Sequence, residues 1–332
     1  MDFSTIAGMA GGHAEARAIQ IALKIGLFER LGSGGLNADE LATAIGGNPR
    51  ATAILANALT AIGLLHKVEG RISLDSSTRR YLLESSPEYL GGMILFDAEL
   101  WHEWGRLEDS IRSGKPARVP DMFQATPAAT ARFIRAMDSL VRARGDDRWT
   151  AEHLDLGSAR SIADLGGGPG TYLIELLRRH PEMRGAIWDL PATLEVAREL
   201  LTQRAPELLA RIDLRAVDYL TNELPRPIDA IFMSNIIHSE NEAVNAELIA
   251  KCFRALAPGG LFAIKDHIMN RALTEPAAGA VFSLYLLLTT HGRDYSFDET
   301  SGWLASAGFI DVRMTTLPSP PFTSSIVTAR KS

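Results

Sequence analysis

His238 follows an apolar run, Ala230 to Asn235. An imidazole titrates near neutral pH, so it can lift a proton from a hydroxyl group. Asp266 ends another apolar run, Leu261 to Asp266, and Asp294 lies in the polar stretch Gly292 to Ser296. A carboxylate on the far ring nitrogen fixes a histidine's tautomer and stabilises its imidazolium. Both aspartates are therefore candidate partners of His238. His267 and His291 are rival bases. His267 adjoins Asp266, and strand alternation sends it to the opposite face; His291 sits in a loop beside Gly292.

A second set of residues suits a nucleoside. Gly166, Gly167, Gly168 and Gly170 follow the apolar run Ser161 to Leu165 and precede a helical pattern. Glycine lets bare backbone approach a ligand and tolerates positive φ. Asp189 comes 19 residues after Gly170, at the end of Gly185 to Trp188. A carboxylate there accepts two hydroxyls of a ribose and repels a 2′-phosphate. The spacing is G-x-G-x-G, with Thr171 where the dinucleotide fingerprint needs Gly or Ala, and the loop has no lysine for phosphates. These features favour a nucleoside without a pyrophosphate, which S-adenosylmethionine fits, over a nicotinamide dinucleotide. Asp218 and Tyr219 follow Asp213 to Val217; the first can accept from an adenine amino group and the second can lie against its ring. No His/Asp/Glu cluster has clear ligand spacing, so no metal is expected.

The elements that must position these groups follow from periodicity. From about residue 156 the chain alternates strand and helix. Strands are expected at 161–165, 186–189, 213–217, 230–235, 261–266, 312–316 and 325–329. Helices fall near 171–180, 191–204, 242–257 and 298–307. Ala257 to Gly260 is a tight turn, and Pro318, Pro320 and Pro321 mark a loop. The pattern is an α/β doubly wound sheet, whose ligands sit beyond the carboxyl ends of its strands. Every candidate above except Asp294 and His291 stands at or just after such an end.

Residues 1–155 read as almost wholly helical. Helices are expected over His13–Leu31, Leu36–Ile45 with Asn37 as N-cap, and Pro49–Leu64. A hairpin, Leu65–Val68 with Arg71–Leu74, completes a winged-helix outline. Residues 1–99 hold eight basic and eleven acidic side chains. A DNA-binding helix needs a basic face, and Pro49–Leu65 carries only Arg50, so dimerisation is the better reading. Met93, Phe96, Trp101, Trp104, Met122, Phe123, Phe133 and Met137, with Tyr285, can line a pocket for a flat apolar molecule, or pack as core.

The 332 residues are 46% hydrophobic and 22% charged, with a net charge of −6; the acidic balance argues against a nucleic-acid partner. The lone cysteine, Cys252, excludes an intrachain disulfide. No long apolar stretch calls for a membrane span, and no basic region opens a secretory signal; a cytoplasmic enzyme is expected.

The motifs Asp164–Gly170 (DLGGGPG), Trp188–Pro191 (WDLP), Val217–Leu220 (VDYL), Asn235–Glu242 (NIIHSENE), Ala257–Gly260 (APGG), Ile264–Asp266 (IKD) and Gly292–Ser296 (GRDYS) resemble class I S-adenosylmethionine-dependent small-molecule O-methyltransferases. These are the plant caffeate and isoflavone enzymes and the bacterial polyketide-tailoring enzymes. The resemblance spans nearly the whole chain. It implies a winged-helix dimerisation domain (1–100), a helical linker lining the substrate pocket (101–155) and a Rossmann-like catalytic domain (156–332). It also implies His238 as general base, held by Asp266 and Asp294, and cofactor contacts from Asp164, Gly166, Gly168, Gly170, Asp189, Leu190, Asp218, Tyr219 and Ser234. The acceptor would be planar and aromatic or polyketide-like, and the protein a homodimer. Two departures stand out. The family usually reads His-Asp-Trp and then Asp-Glu, where this chain has His238-Ser239-Glu240-Asn241-Glu242, and Ser234 replaces a lysine common in plant members. Relatives of this architecture that methylate carbon, or have lost methyl transfer, leave those outcomes open, as does a ligand-sensing winged-helix regulator.

Overall fold

The computed structural model describes residues 1–316 and 324–332, so the loop expected at Pro318, Pro320 and Pro321 lies outside the described residues. The chain divides into two compact units, one of Met1–Trp101 with Ser139–Arg144 and one of His102–Asp138 with Gly145–Ser332.

In the first unit, Asp2 caps the helix Phe3–Lys24 by accepting from the Thr5 amide. The single helix expected over His13–Leu31 is two, because Gly26 adopts φ 71° and a second helix, Leu27–Gly32, starts anew. Left-handed backbone ends a helix, and glycine enters it without a Cβ clash. Asn37 and Glu40 form a reciprocal capping box on Ala38–Ile45. Pro49 opens the next helix, Pro49–Ala61. Strands β1 (Leu65–Val68) and β2 (Arg71–Leu74) pair antiparallel. Their inward residues Leu65 and Ile72 join Leu27, Phe28, Leu31, Leu41 and Leu59 in one core.

In the second unit, strands β3 (Ser161–Leu165), β4 (Arg184–Asp189), β5 (Ile212–Ala216), β6 (Ile228–Ser234), β7 (Leu256–Asp266), β8 (Phe309–Thr316) and β9 (Ser325–Lys331) form one sheet in the order β5-β4-β3-β6-β7-β9-β8. The first five are parallel, and β9 runs antiparallel between β7 and β8. Helices Thr171–Arg179, Pro191–Arg204, Glu242–Ala255 and Phe297–Ala307 alternate with the strands. A central parallel strand is covered on both faces, which is why β3 and β6 read as apolar runs without alternation. The turn expected at Ala257–Gly260 lies inside β7: Leu256 already pairs with Ile228, and the register resumes at Ala230 with Leu261. The winding reverses between adjacent β3 and β6, and a doubly wound sheet opens its crevice at the carboxyl ends of such strands. Cys252 is buried in the core beneath. Among the described residues no helix is long and apolar enough to cross a membrane.

Candidate active site

The glycine loop leaves β3 with Gly166 at φ 65°. A Cβ there would lie 2.4 Å from Ile236 Cδ1, so neither the dihedral nor the space admits another residue. Gly168, at φ 51°, donates its amide to Asp189 Oδ2 at 2.8 Å, and the Leu190 amide donates to Asp189 Oδ1 at 2.7 Å. The Asp189 carboxylate thus ties the loops after β3 and β4 together. Burial raises its pKa, partly offset by the amides of Gly168 and Leu190 and by Thr193.

Asp164 is only 1% exposed, and neither carboxylate oxygen has a hydrogen-bond partner. Burial, with a smaller push from Asp189, moves its pKa up to about 8. Buried carboxylates are ordinarily satisfied. This one lies directly under the loop, 2.7 Å from where a Gly167 Cβ would stand. An orphaned carboxyl group, a cradle without side chains and a carboxylate set for a diol fit a ligand that carries an ammonium and a ribose. The residues therefore match an aminoacyl nucleoside such as S-adenosylmethionine.

Asp218 and Tyr219 stand in the turn after β5. Asp218 accepts from the Leu220 amide and the Thr221 hydroxyl. Tyr219 donates to Glu240 Oε1 at 2.8 Å, and burial together with Glu240 holds its pKa well above the usual phenol value. Lys251 fastens the turn by donating to the carbonyls of Tyr219, Leu220 and Asn222. Ser234 Oγ accepts from Asn235 Nδ2 at 3.0 Å.

His238 sits in the short 3-10 turn Ile237–Ser239 after β6. Asn245 Nδ2 donates to the carbonyls of Ile237 and Glu240, and the Tyr295 hydroxyl donates to the Glu240 carbonyl at 2.7 Å. His238 Nδ1 meets Asp266 Oδ1 at 2.6 Å; among the described residues its Nε2 has no hydrogen-bond partner. Burial alone would lower the pKa of His238, but the charge and hydrogen bond of Asp266, with Asp294 behind, raise it above the usual imidazole value. Burial pushes Asp266 up, and the imidazoles of His238 and His267 reverse this to leave it low. Burial raises Asp294.

Two sequence expectations change. His267 is not sent to the far face, because β7 ends at Asp266 and strand alternation stops there. Its ring lies edge-on to Phe282 at 5.2 Å between centroids, as His238 does at 5.3 Å. Asp294 Oδ2 stands 3.7 Å from His267 Nδ1, so its nearer imidazole is His267. Although no ligand spacing marks them in sequence, His238, Asp266 and Asp294 bring one donor atom each within 4.8 Å of one another.

The aromatic set separates. Tyr285 stacks on Phe282 at 5.1 Å and so belongs with the histidines. Phe133 stacks on Phe123 at 4.9 Å and packs against Ile134, Val196 and Leu200. Met137 is half-buried on the same helix, Pro127–Arg144. Trp104 is 37% exposed, and Phe96 is buried in the N-terminal unit. Phe282, Asn245, Lys251 and Tyr295 were not anticipated; Lys251 and Tyr295 meet partners up to 32 and 55 residues away, Asn245 meets the backbone of a nearby turn, and periodicity carries no such signal.

A protein-family model described as "O-methyltransferase domain" matches residues 104–310. The 3-hydroxy-5-methyl-1-naphthoate 3-O-methyltransferase of Streptomyces sahachiroi is 33% identical over 94% of this chain and 91% of its own length. The tetracenomycin polyketide synthesis 8-O-methyl transferase of Streptomyces glaucescens is 32% identical over 92% and 91%. The fold is shared with human N-acetylserotonin methyltransferase, crystallised with S-adenosylmethionine, at a TM-score of 0.89 and 21% identity, covering 100% of this chain and 99% of that one. The chain belongs to the family of S-adenosylmethionine-dependent O-methyltransferases.

Proposed function

We propose that the protein methylates a phenolic hydroxyl on a planar, polyketide-like small molecule, with His238 as the general base. The observation that carries this reading is the His238 Nδ1–Asp266 Oδ1 contact of 2.6 Å, which leaves Nε2 without a partner. Asp266 holds the proton on Nδ1, so Nε2 presents its lone pair to an incoming hydroxyl. Two relatives act, by name, on a hydroxynaphthoate and in tetracenomycin polyketide synthesis.

When bound, S-adenosylmethionine supplies a methyl group made electrophilic by its sulfonium. Asp189 would hold its ribose, the side-chain-free backbone of the Gly166–Gly170 loop would let it approach, Asp164 would meet its ammonium, and Asp218 and Tyr219 would flank its adenine. The Phe282–Tyr285 stack offers an apolar face on which a flat acceptor can lie beside Nε2. The protein then places the oxygen, excludes water and receives one proton on His238.

Labelled methyl from S-adenosylmethionine should appear on oxygen of a naphthol acceptor. His238→Ala should lower turnover by about 10²–10⁴-fold while calorimetry with S-adenosylhomocysteine shows unchanged affinity. Full turnover in that variant, or label on carbon, overturns the reading.

We also infer that the N-terminal unit mediates self-association. Met1, Phe3, Ile6 and Met9, at the start of helix Phe3–Lys24, are each more than half exposed. A row of large apolar groups in water marks a surface that another chain covers.

A further inference from the structure

Three buried polar atoms beside His238 have no partner: Asp266 Oδ2, His267 Nδ1 and Asp294 Oδ1. They belong to one cluster. Asp266 bonds His238 and, through the same Oδ1, accepts the His267 backbone amide at 2.9 Å. His267 Nδ1 faces Asp294 Oδ2 at 3.7 Å, too long for a hydrogen bond and short enough for the pair to close when a ligand arrives. The two imidazoles meet the edge of the same Phe282 ring. The fold has packed closely to build this: a Cβ on Gly279 would lie 3.3 Å from both Asp294 Oδ2 and His267 Cβ, so glycine alone lets helix Ala277–Thr289 settle against the pair. Buried polar atoms left unsatisfied are costly, and deprotonating one hydroxyl needs only one imidazole.

We propose that His267, backed by Asp294, is a specificity-determining residue that holds a second oxygen of the acceptor, adjacent to the hydroxyl that His238 deprotonates. The site then takes ring systems with neighbouring oxygen functions and discriminates against those with one. Among the described residues His267 Nε2 has no hydrogen-bond partner, so it can reach that oxygen. Asp294 accepts from the Nδ1–H and orients the ring, as Asp266 does for His238. This assignment rests on the reading of the cluster as the acceptor site of a phenol-methylating enzyme.

The test uses the full chain saturated with S-adenosylhomocysteine, titrated calorimetrically with 2,3-dihydroxynaphthalene and with 2-naphthol, which differ by one hydroxyl. The diol should bind at least about tenfold more tightly. His267→Phe should collapse that ratio towards one, and His267→Gln, whose amide nitrogen reaches close to the Nε2 position, should restore part of it. A purely structural role would weaken both ligands alike and leave the ratio intact. A wild-type ratio below twofold, or a ratio that survives in His267→Phe, overturns the assignment. If His267→Phe does not fold, His267→Leu is read by the same ratio, and wild-type discrimination still decides against the assignment when absent. Methyl transfer to the same two compounds separates the premises. Turnover without discrimination removes the His267 assignment alone. Discrimination in binding without turnover of either compound removes the phenol reading and leaves the second-oxygen contact standing.

Discussion

At the scale of single residues, the site is governed by two buried acid–base groups pushed in the same direction for different reasons. Burial lifts Asp164 from the usual carboxylate range to about 8. In the free protein its neutral form is favoured, so its contribution to stability is present below the unfolded pKa and lost as pH rises through about 8. A bound ammonium reverses the preference and requires the carboxylate. Cofactor affinity should therefore rise with pH towards about 8, by at most about tenfold per unit, with protons released on binding. Calorimetry in buffers of different ionisation enthalpy reads that proton count, and Asp164→Asn should flatten the slope; an equal slope in the variant would assign the proton elsewhere. For His238 the Asp266 charge outweighs burial and raises the pKa. In the proposed role of His238 the working form is the neutral imidazole, so the acid limb of kcat/KM against pH should lie above about 6.5, the ordinary imidazole value. Asp266→Asn should shift that limb down as well as slow the reaction.

At the scale of elements, the base is held by a turn with few contacts of its own. Residues Ile237–Ser239 span less than one helical turn, and backbone bonds of such a short piece are weak. Asn245 from the following helix and Tyr295 from beyond Gly292 supply the missing donors. Gly292 is needed for that approach, since a Cβ there would lie 2.2 Å from the His238 carbonyl and 2.7 Å from that of Glu240. Gly292→Ala should displace the turn, lowering kcat by about 10–100-fold and stability by about 1–3 kcal/mol. Melting and steady-state assays check both, and a variant with wild-type kcat would show that the turn is positioned without Gly292. The Tyr219–Glu240 hydrogen bond joins this turn to the loop after β5. Glu240, a departure from the usual family motif, thus links the expected adenine side of the crevice to the base side.

At the scale of the molecule, the two units are built from different patterns and serve different ends. The sheet unit carries the His238 cluster and the glycine loop of the proposed site. The helical unit carries an apolar helix start that its own core leaves bare: Phe3 is 88% and Met9 69% exposed. Light scattering after size exclusion should report a dimer at micromolar concentration. Charged substitutions Phe3→Lys and Met9→Lys together should shift it towards monomer without changing the melting of the sheet unit, because neither side chain is part of a core. A monomeric wild-type protein would refute the self-association reading.

Local pattern was enough to reveal much of this protein. Period-two and unbroken apolar runs mark each strand of the sheet, and positive-φ glycines mark the loop after β3, because backbone dihedrals are set by the residue itself and its immediate neighbours. Asp189, His238 and Asp266 were legible for the same reason: each follows a strand end, and strand ends in a doubly wound sheet converge. What the sequence left open depends on distance in three dimensions. Whether Asp294 serves His238 or His267, that His267 joins the cluster, that Phe282 meets both rings, and that Phe133 stacks on Phe123 all depend on helix placement to within an ångström or two. Side chains far apart in the chain meet only after packing has fixed those placements, and the short-range forces that decide hydrogen bonds and ring contacts leave no periodicity in the sequence for a reader to find.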